Sequence, residues 1–395
     1  MSIKSIRDLS LRGKRLFLRV DFNVPLDEHR KVSDNTRIRA ALPTLEFAQQ
    51  QGARVILASH LGRPKGQANA RYSLKPVAEE LAKQLQQDVP FANDCLGSEA
   101  EAVTARLQNG QACLLENLRF HKEEEANDAG FSRQLAGLCD VYVNDAFGTA
   151  HRAHASTVGM IPFCREAAAG FLMQKELEYL GKLLENPEMP FVAVLGGAKV
   201  SDKIEVIQNL IGRVDALLIG GAMAYTFLLA QGLAVGKSLV ERDKVNLAHD
   251  LMKQAADRKV QFLLPADHVI ATKVDAAAET KIVNIADTPP EWMGLDIGPK
   301  TIELYREVLK SARTVFWNGP MGVFEMAPFA AGTVAVARAL GECRGITVVG
   351  GGDSVAAVNQ SGVADQITHI STGGGASLEF LSGIKLPGVA ALEGK

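Results

Sequence analysis

At 395 residues the chain exceeds one comfortable hydrophobic core, and about 150 residues per domain predicts two domains. With 47% apolar and 22% charged residues, its composition is that of an ordinary globular protein. A net charge of −2 argues against a nucleic-acid binder or a polybasic membrane binder, so clusters of arginine must be read as local sites rather than parts of a global field.

Short Val/Ile/Leu-rich runs alternate with helical patterns from the N-terminus onward. Strands are expected over 15–22 and 53–60, with a helix over 36–51 between them. A helix over 74–87 follows, then strands over 112–118 and 141–147. The stretch EAAAGFLMQKELEYLGKLLENPEMP reads as one helix ending at Asn186-Pro187, able to tie two lobes together. Beyond it, strands are expected over 191–196, 216–221, 261–269, 312–318 and 346–351, with a helix over 241–258. Apolar strands bounded by amphipathic helices mean βαβ units, hence an α/β fold with parallel sheets covered on both faces. Residues 216–236 carry no charge, but Gly220-Gly221 split them, so a buried strand, turn and helix explain them better than a membrane span. The five cysteines are scattered and never form Cys-x-x-Cys, which favours free or buried thiols in a reducing compartment. The N-terminal twenty residues lack the apolar core of roughly 7–15 residues that a secretory signal requires, so a cytoplasmic location is expected.

Two residue types divide unevenly along the chain. Twenty-five of 36 glycines follow residue 170, while 15 of 22 arginines precede residue 171. One half is therefore suited to offering backbone N–H groups to phosphates, the other to gripping anions with guanidinium groups.

In the second half, Gly350-Gly351-Gly352-Asp353-Ser354 joins the strand ITVV to a helical run. Glycine lets the backbone approach an anion closely, and a helix N-terminus supplies unpaired N–H groups and partial positive charge. Asp353 could hold a Mg²⁺ on those phosphates, or serve only as a helix cap. A second cluster, Gly196-Gly197-Ala198-Lys199-Val200-Ser201-Asp202-Lys203, places two lysines i,i+4, on one face if the segment is helical. Gly373-Gly374-Gly375 opens another strand-to-helix turn. No Gly-x-Gly-x-x-Gly occurs, and Gly232 to Ser238 is one residue short of a Walker A loop and follows a helix, so it reads as a plain loop.

In the first half, four strand ends each deliver a cation or imidazole. Asp21 and Asn23 close the first strand, and Arg37 opens the helix that follows. His60 and Arg63 lie in SHLGRP, Arg119 and His121 in ENLRFH, His151 and Arg152 in DAFGTAHRAH. The arginine fork suits phosphate and carboxylate bidentately, and four strand ends converging on one crevice make a common anion site. Glu123-Glu124-Glu125 reads as a solvated face.

RVDFNVP, SHLGRP, ENLRFH, DAFGTAHRAHAS, GGAKVSDK, WNGPMGVFE, GGGDS and STGGGASLE, in this order, closely resemble the phosphoglycerate kinase family from residue 15 to the C-terminus. Ser354 stands where that family commonly has Thr, and Ala222 where it often has Gly. The resemblance implies two Rossmann-like parallel-sheet lobes, each a three-layer αβα unit, joined by a hinge helix over about 171–187 and closing over substrates. It places 3-phosphoglycerate in a lobe over 1–170 and nucleotide in a lobe over 171–375, with 376–395 returning to the first. By motif match Asp21, Asn23, Arg37, His60, Arg63, Arg119 and Arg152 bind the phosphoglycerate. Lys199, Lys203, Gly220, Gly221, Glu325, Gly351, Gly352, Asp353 and Ser354 bind the nucleotide, with Asp353 toward the metal. The implied partners are small molecules and Mg²⁺, with no nucleic acid or membrane, and the implied state is a monomer.

Both possible nucleophiles, a nucleotide phosphate oxygen and a carboxylate, are ionised at neutral pH, so no general base is required. Accordingly no Ser-His-Asp arrangement is found. Transfer through a loose transition state needs positioning and charge stabilisation, expected from Arg37, Lys199 and the Gly351 and Gly374 turns. A non-catalytic phosphometabolite sensor is the alternative; a nicotinamide dehydrogenase lacks its glycine fingerprint.

Overall fold

The computed structural model describes residues 3–395. The chain forms two compact units: one runs through Glu178 and takes in Lys385–Lys395, and the other is Tyr179–Ile384. The division falls inside the helix Phe171–Glu185 rather than at its start.

In the first unit the strands are β1 Arg15–Arg19, β2 Arg54–Ala58, β3 Phe91–Ala92, β4 Ala112–Leu115, β5 Val141–Asn144 and β6 Ala167–Ala169. They form one sheet in the order β3-β4-β2-β1-β5-β6, every pair parallel. The middle strands are buried on both faces, which is why they are apolar without alternation. Leu16, Leu18, Val55, Leu57 and Leu114 meet Ile38, Leu45 and Val77 of the covering helices in one core. From β1 the chain moves to β2 on one side, and β5 returns on the other. This reversal is where open α/β sheets open a crevice at the carboxyl ends.

The second unit holds β7 Phe191–Leu195, β8 Ala216–Ile219, β9 Gln261–Leu263, β10 Asp267–Ala271, β11 Lys281–Asn284, β12 Met293–Ile297, β13 Thr314–Asn318, β14 Ile346–Gly350 and β15 His369–Ile370. Its parallel sheet runs β15-β14-β13-β7-β8-β9, with the reversal between β7 and β13. Trp317, Tyr305 and Val349 anchor its core. Residues 216–236 are the expected strand, turn and helix, and among the described residues no helix is long and apolar enough to cross a membrane.

Two expectations fail. Residues 261–269 are not one strand: β9 ends before Pro265, and β10 joins a separate antiparallel sheet, β11-β10-β12. Proline has no N–H to continue a ladder, so the run breaks there. The segment from Glu166 is not helical throughout, because Ala167–Ala169 pair with β5 and the helix starts only at Phe171. Tertiary pairing overrides the helical preference of three alanines.

Candidate active site

Each cationic group in the first unit is positioned by a strand end. Asp21 and Asn23 follow β1, and both engage Arg37 at the start of the helix Thr36–Gln50. The Arg37 Nη1 donates to Asp21 Oδ2 at 2.9 Å and to the Asn23 carbonyl at 3.3 Å. Asn23 Oδ1 accepts from the Gly62 amide at 2.9 Å, pinning the loop after β2. That loop carries His60, whose Nδ1 lies 3.9 Å from Asp21 Oδ1. Arg119, after β4, donates from Nη1 to the Gly62 carbonyl at 3.0 Å. Asp21, Asn23, Arg37, His60 and Arg119 are thus brought together. Arg152, after β5, is exposed, rests against His151 (Nε to Nε2, 3.2 Å), and adds to the field at Arg119. Arg63 is exposed and its guanidinium meets no partner among the described residues.

The field of this cluster is strongly positive. Burial, then Arg119, Arg19 and Arg37, hold the His60 imidazole well below its ordinary value, so it is neutral. His154 is pushed down to about 3 by burial, then by Arg119, Arg19 and Arg152. Arg119 itself is lowered by burial, against the pull of Glu125. Burial and the arginines together keep both imidazoles neutral, so the positive charge here is carried by the guanidinium groups.

Sequence reasoning missed the layer beneath. Arg19, fully buried, donates from Nε to Ser156 Oγ at 2.8 Å and lies 3.4 Å from His60 Nδ1. Ser156 in turn donates to Glu124 Oε1 at 2.6 Å, and its amide to Oε2 at 2.9 Å. The expected solvated Glu123–Glu125 face is therefore wrong at Glu124, which is fully buried; a charge run conceals a member that turns inward to offset arginine. His121 is bound to Asp94 at 2.7 Å.

In the second unit, loops after β7, β8 and β13 pack backbone to backbone. The amides of Gly197 and Gly221 donate to the carbonyls of Pro320 and Met321, each at 3.0 Å. Gly221 has φ +66°, and a Cβ there would lie 2.5 Å from the Gly197 nitrogen. Only glycine permits this approach. Beside these loops is a cleft of about 340 Å³, lined by Gly221, Tyr225, Leu295, Asp296, Glu325 and Asp353. Gly220 is buried behind it against Met321.

The loop after β14 starts the helix Gly352–Gln360. Gly351 sits at the cap position with φ +89°, and a side chain at Gly352 would meet open space. Asp353 is exposed. Ser354 is buried, its Oγ accepting from the Gly319 amide at 2.6 Å and tying the loops after β13 and β14. Gly374, with φ +53°, precedes the helix Gly375–Leu381. Lys199 and Lys203 do not share a helical face: the helix Ile204–Leu210 begins after both, Lys199 is exposed, and Lys203 is buried with its Nζ on Asn318 Oδ1. Glu241 holds Ser201 in a turn, by its amide at 3.0 Å and its hydroxyl at 2.5 Å, and this sets the non-helical path. Burial lowers the Lys203 ammonium to about 8, against Asp202 and Asp353. The Asp353 carboxylate, exposed on the cleft beside that ammonium, offers a hard oxygen donor of the kind Mg²⁺ takes.

Guanidinium groups gathered at one set of strand ends, and glycine turns with a buried lysine at another, are the parts of a phosphotransferase. A family model described as phosphoglycerate kinase matches residues 6–384. A phosphoglycerate kinase of an Anaeromyxobacter species is 60% identical over the full length of both chains, and one of Moorella thermoacetica 61%. The solved structure of phosphoglycerate kinase from Coxiella burnetii superposes with a TM-score of 0.91 at 42% identity, covering 100% of this chain and 99% of that one. That from Pyrococcus horikoshii gives 0.87 at 35%, covering 99% and 98%. The chain belongs to the phosphoglycerate kinase family.

Proposed function

We propose that the chain carries out reversible transfer of a phosphoryl group from 1,3-bisphosphoglycerate to ADP, giving 3-phosphoglycerate and ATP, within the cytoplasm and as a monomer. The match over residues 6–384 carries this reading. In it, Asp21, Asn23, Arg37, His60, Arg63, Arg119 and Arg152 hold the phosphoglycerate in the first unit, with Arg37 oriented by Asp21. Gly221 and Glu325 line the cleft that takes the nucleoside, with Gly220 buried behind it, and Lys203 with the Gly351–Ser354 turn holds its phosphates. Asp353 is the residue that would hold Mg²⁺, which supplies charge neutralisation on the nucleotide phosphates.

The chain's own contribution to transfer is positioning and charge. Arg37 and Lys199 supply cations to the transferring group, and the backbone amides at Gly351–Gly352 and Gly374–Gly375 supply hydrogen bonds. The attacking oxygen is already ionised, so no side chain needs to take a proton. Neutral His60 can donate or accept a hydrogen bond without adding charge.

A coupled assay with ATP, Mg²⁺ and 3-phosphoglycerate, using glyceraldehyde-phosphate dehydrogenase and NADH to report the acyl phosphate, tests the reading. NADH loss that requires both substrates is the expected result. No loss from folded protein that still binds ATP would favour a non-catalytic sensor.

A further inference from the structure

Two thiols in the first unit are placed for chemistry that phosphoryl transfer does not use. Cys139 precedes β5 and Cys164 precedes β6, each three residues upstream of the paired positions Tyr142 and Ala167. Adjacent parallel strands run about 4.8 Å apart, within the Cα separation of about 4.4–6.8 Å that a disulfide spans. In this register the two thiols are neighbours; the Cys139 Sγ donates to the Ala136 carbonyl at 3.6 Å and the Cys164 Sγ to the Met160 carbonyl at 3.3 Å. Cys164 is buried and Cys139 is partly exposed, so the pair is reached from the Cys139 side. The last residue, Lys395, lies over the same loop, donating from Nζ to the carbonyls of Cys164 at 3.0 Å and Pro162 at 3.3 Å.

We propose that Cys139 and Cys164 are a redox-active dithiol, a modification site that a small peroxide closes to an intramolecular disulfide and a thiol reductant reopens. The two sulfurs have unlike roles. The neighbouring Cys139 thiol holds the Cys164 thiol below its ordinary value, against burial, and the Lys395 ammonium lowers it further. The neighbouring Cys164 sulfur and burial raise Cys139. Cys164 is therefore the attacking thiolate and Cys139 the resolving thiol. The Cys164 sulfur attacks one peroxide oxygen, the O–O bond breaks, and the leaving hydroxide takes up the thiol proton as water. The Cys139 sulfur then attacks the Cys164 sulfenic sulfur, the S–O bond breaks, and hydroxide leaves with the Cys139 proton as a second water. Two electrons pass from the two sulfurs to the peroxide. The closed loop encloses His151 and Arg152.

The test is hydrogen peroxide treatment of the full-length protein, followed by alkylation of remaining thiols and peptide mapping. The expected result is a cross-linked pair of peptides containing Cys139 and Cys164, lost after dithiothreitol, with Cys95, Cys113 and Cys343 still alkylated. Cys139→Ser should convert the product to an oxidised Cys164 without a cross-link, and Cys164→Ser should leave Cys139 alkylated. Wild-type protein that yields Cys139 and Cys164 separately over-oxidised, both untouched, or either linked to another cysteine overturns the proposal. The wild-type mapping decides even if a serine variant fails to fold.

Discussion

The two cations proposed to act on the transferring group differ in how tightly they are held. Arg37 is fixed by Asp21 and the Asn23 carbonyl, whereas Lys199 projects freely. Replacing either by alanine should lower kcat by about 10²-fold or more, the usual loss for a preorganised charge stabiliser, as measured by steady-state kinetics. A near-normal kcat would remove that residue from the transfer step. Lys203 carries a pH signature. Its folded value, about 8, lies below the ordinary 10.5. Between these two values the unfolded chain binds a proton that the native chain does not, so the ligand-free protein gains stability as pH rises through that window. A bound phosphate favours the charged ammonium, so ADP affinity should fall as pH climbs past about 8. Calorimetric titrations across that range should show the fall, and Lys203→Met should weaken binding and flatten the profile. A Kd independent of pH in the unmodified protein would contradict this.

At the scale of elements, the cleft proposed to take the nucleotide depends on loops touching without side chains between them. Gly221→Ala would combine φ +66° with a Cβ 2.5 Å from the Gly197 backbone. It should cost more than about 1 kcal/mol in stability and weaken ADP binding. Gly352→Ala faces open space, so its melting temperature should stay close to that of the parent. Thermal melts of the pair check the contrast: equal losses would mean that loop contact is not the cause. Elements were legible where composition was unambiguous. Val/Ile/Leu runs with following turns marked β1, β2, β4, β5, β7, β8, β13 and β14. The short or exposed strands β3, β11 and β15 carry too few apolar residues to stand out, and β6 is three alanines.

For the molecule as a whole, the last residues belong with the first unit. In the helix Pro387–Glu393, Val389 and Leu392 are buried, and the Gly388 amide donates to the Ala150 carbonyl at 2.8 Å, next to His151 and Arg152. Ending the chain at Ile384 should destabilise the first unit by about 3 kcal/mol or more, seen as a lower first transition in calorimetry. It should also raise the KM for 3-phosphoglycerate. An unchanged thermogram would mean the segment contributes no packing.

The amino-acid order by itself gave the α/β class, the division into an arginine-rich and a glycine-rich half, and the family, because local periodicity and short motifs are written in consecutive residues. It did not give the burial of Glu124, the Arg19–Ser156 contact beneath the clamp, the unlike environments of Lys199 and Lys203, or the meeting of Cys139 with Cys164. Each of these depends on which distant segments pack together. Burial and proximity are properties of the packed chain, and a charged or thiol side chain reads the same in sequence whether it meets water or a partner.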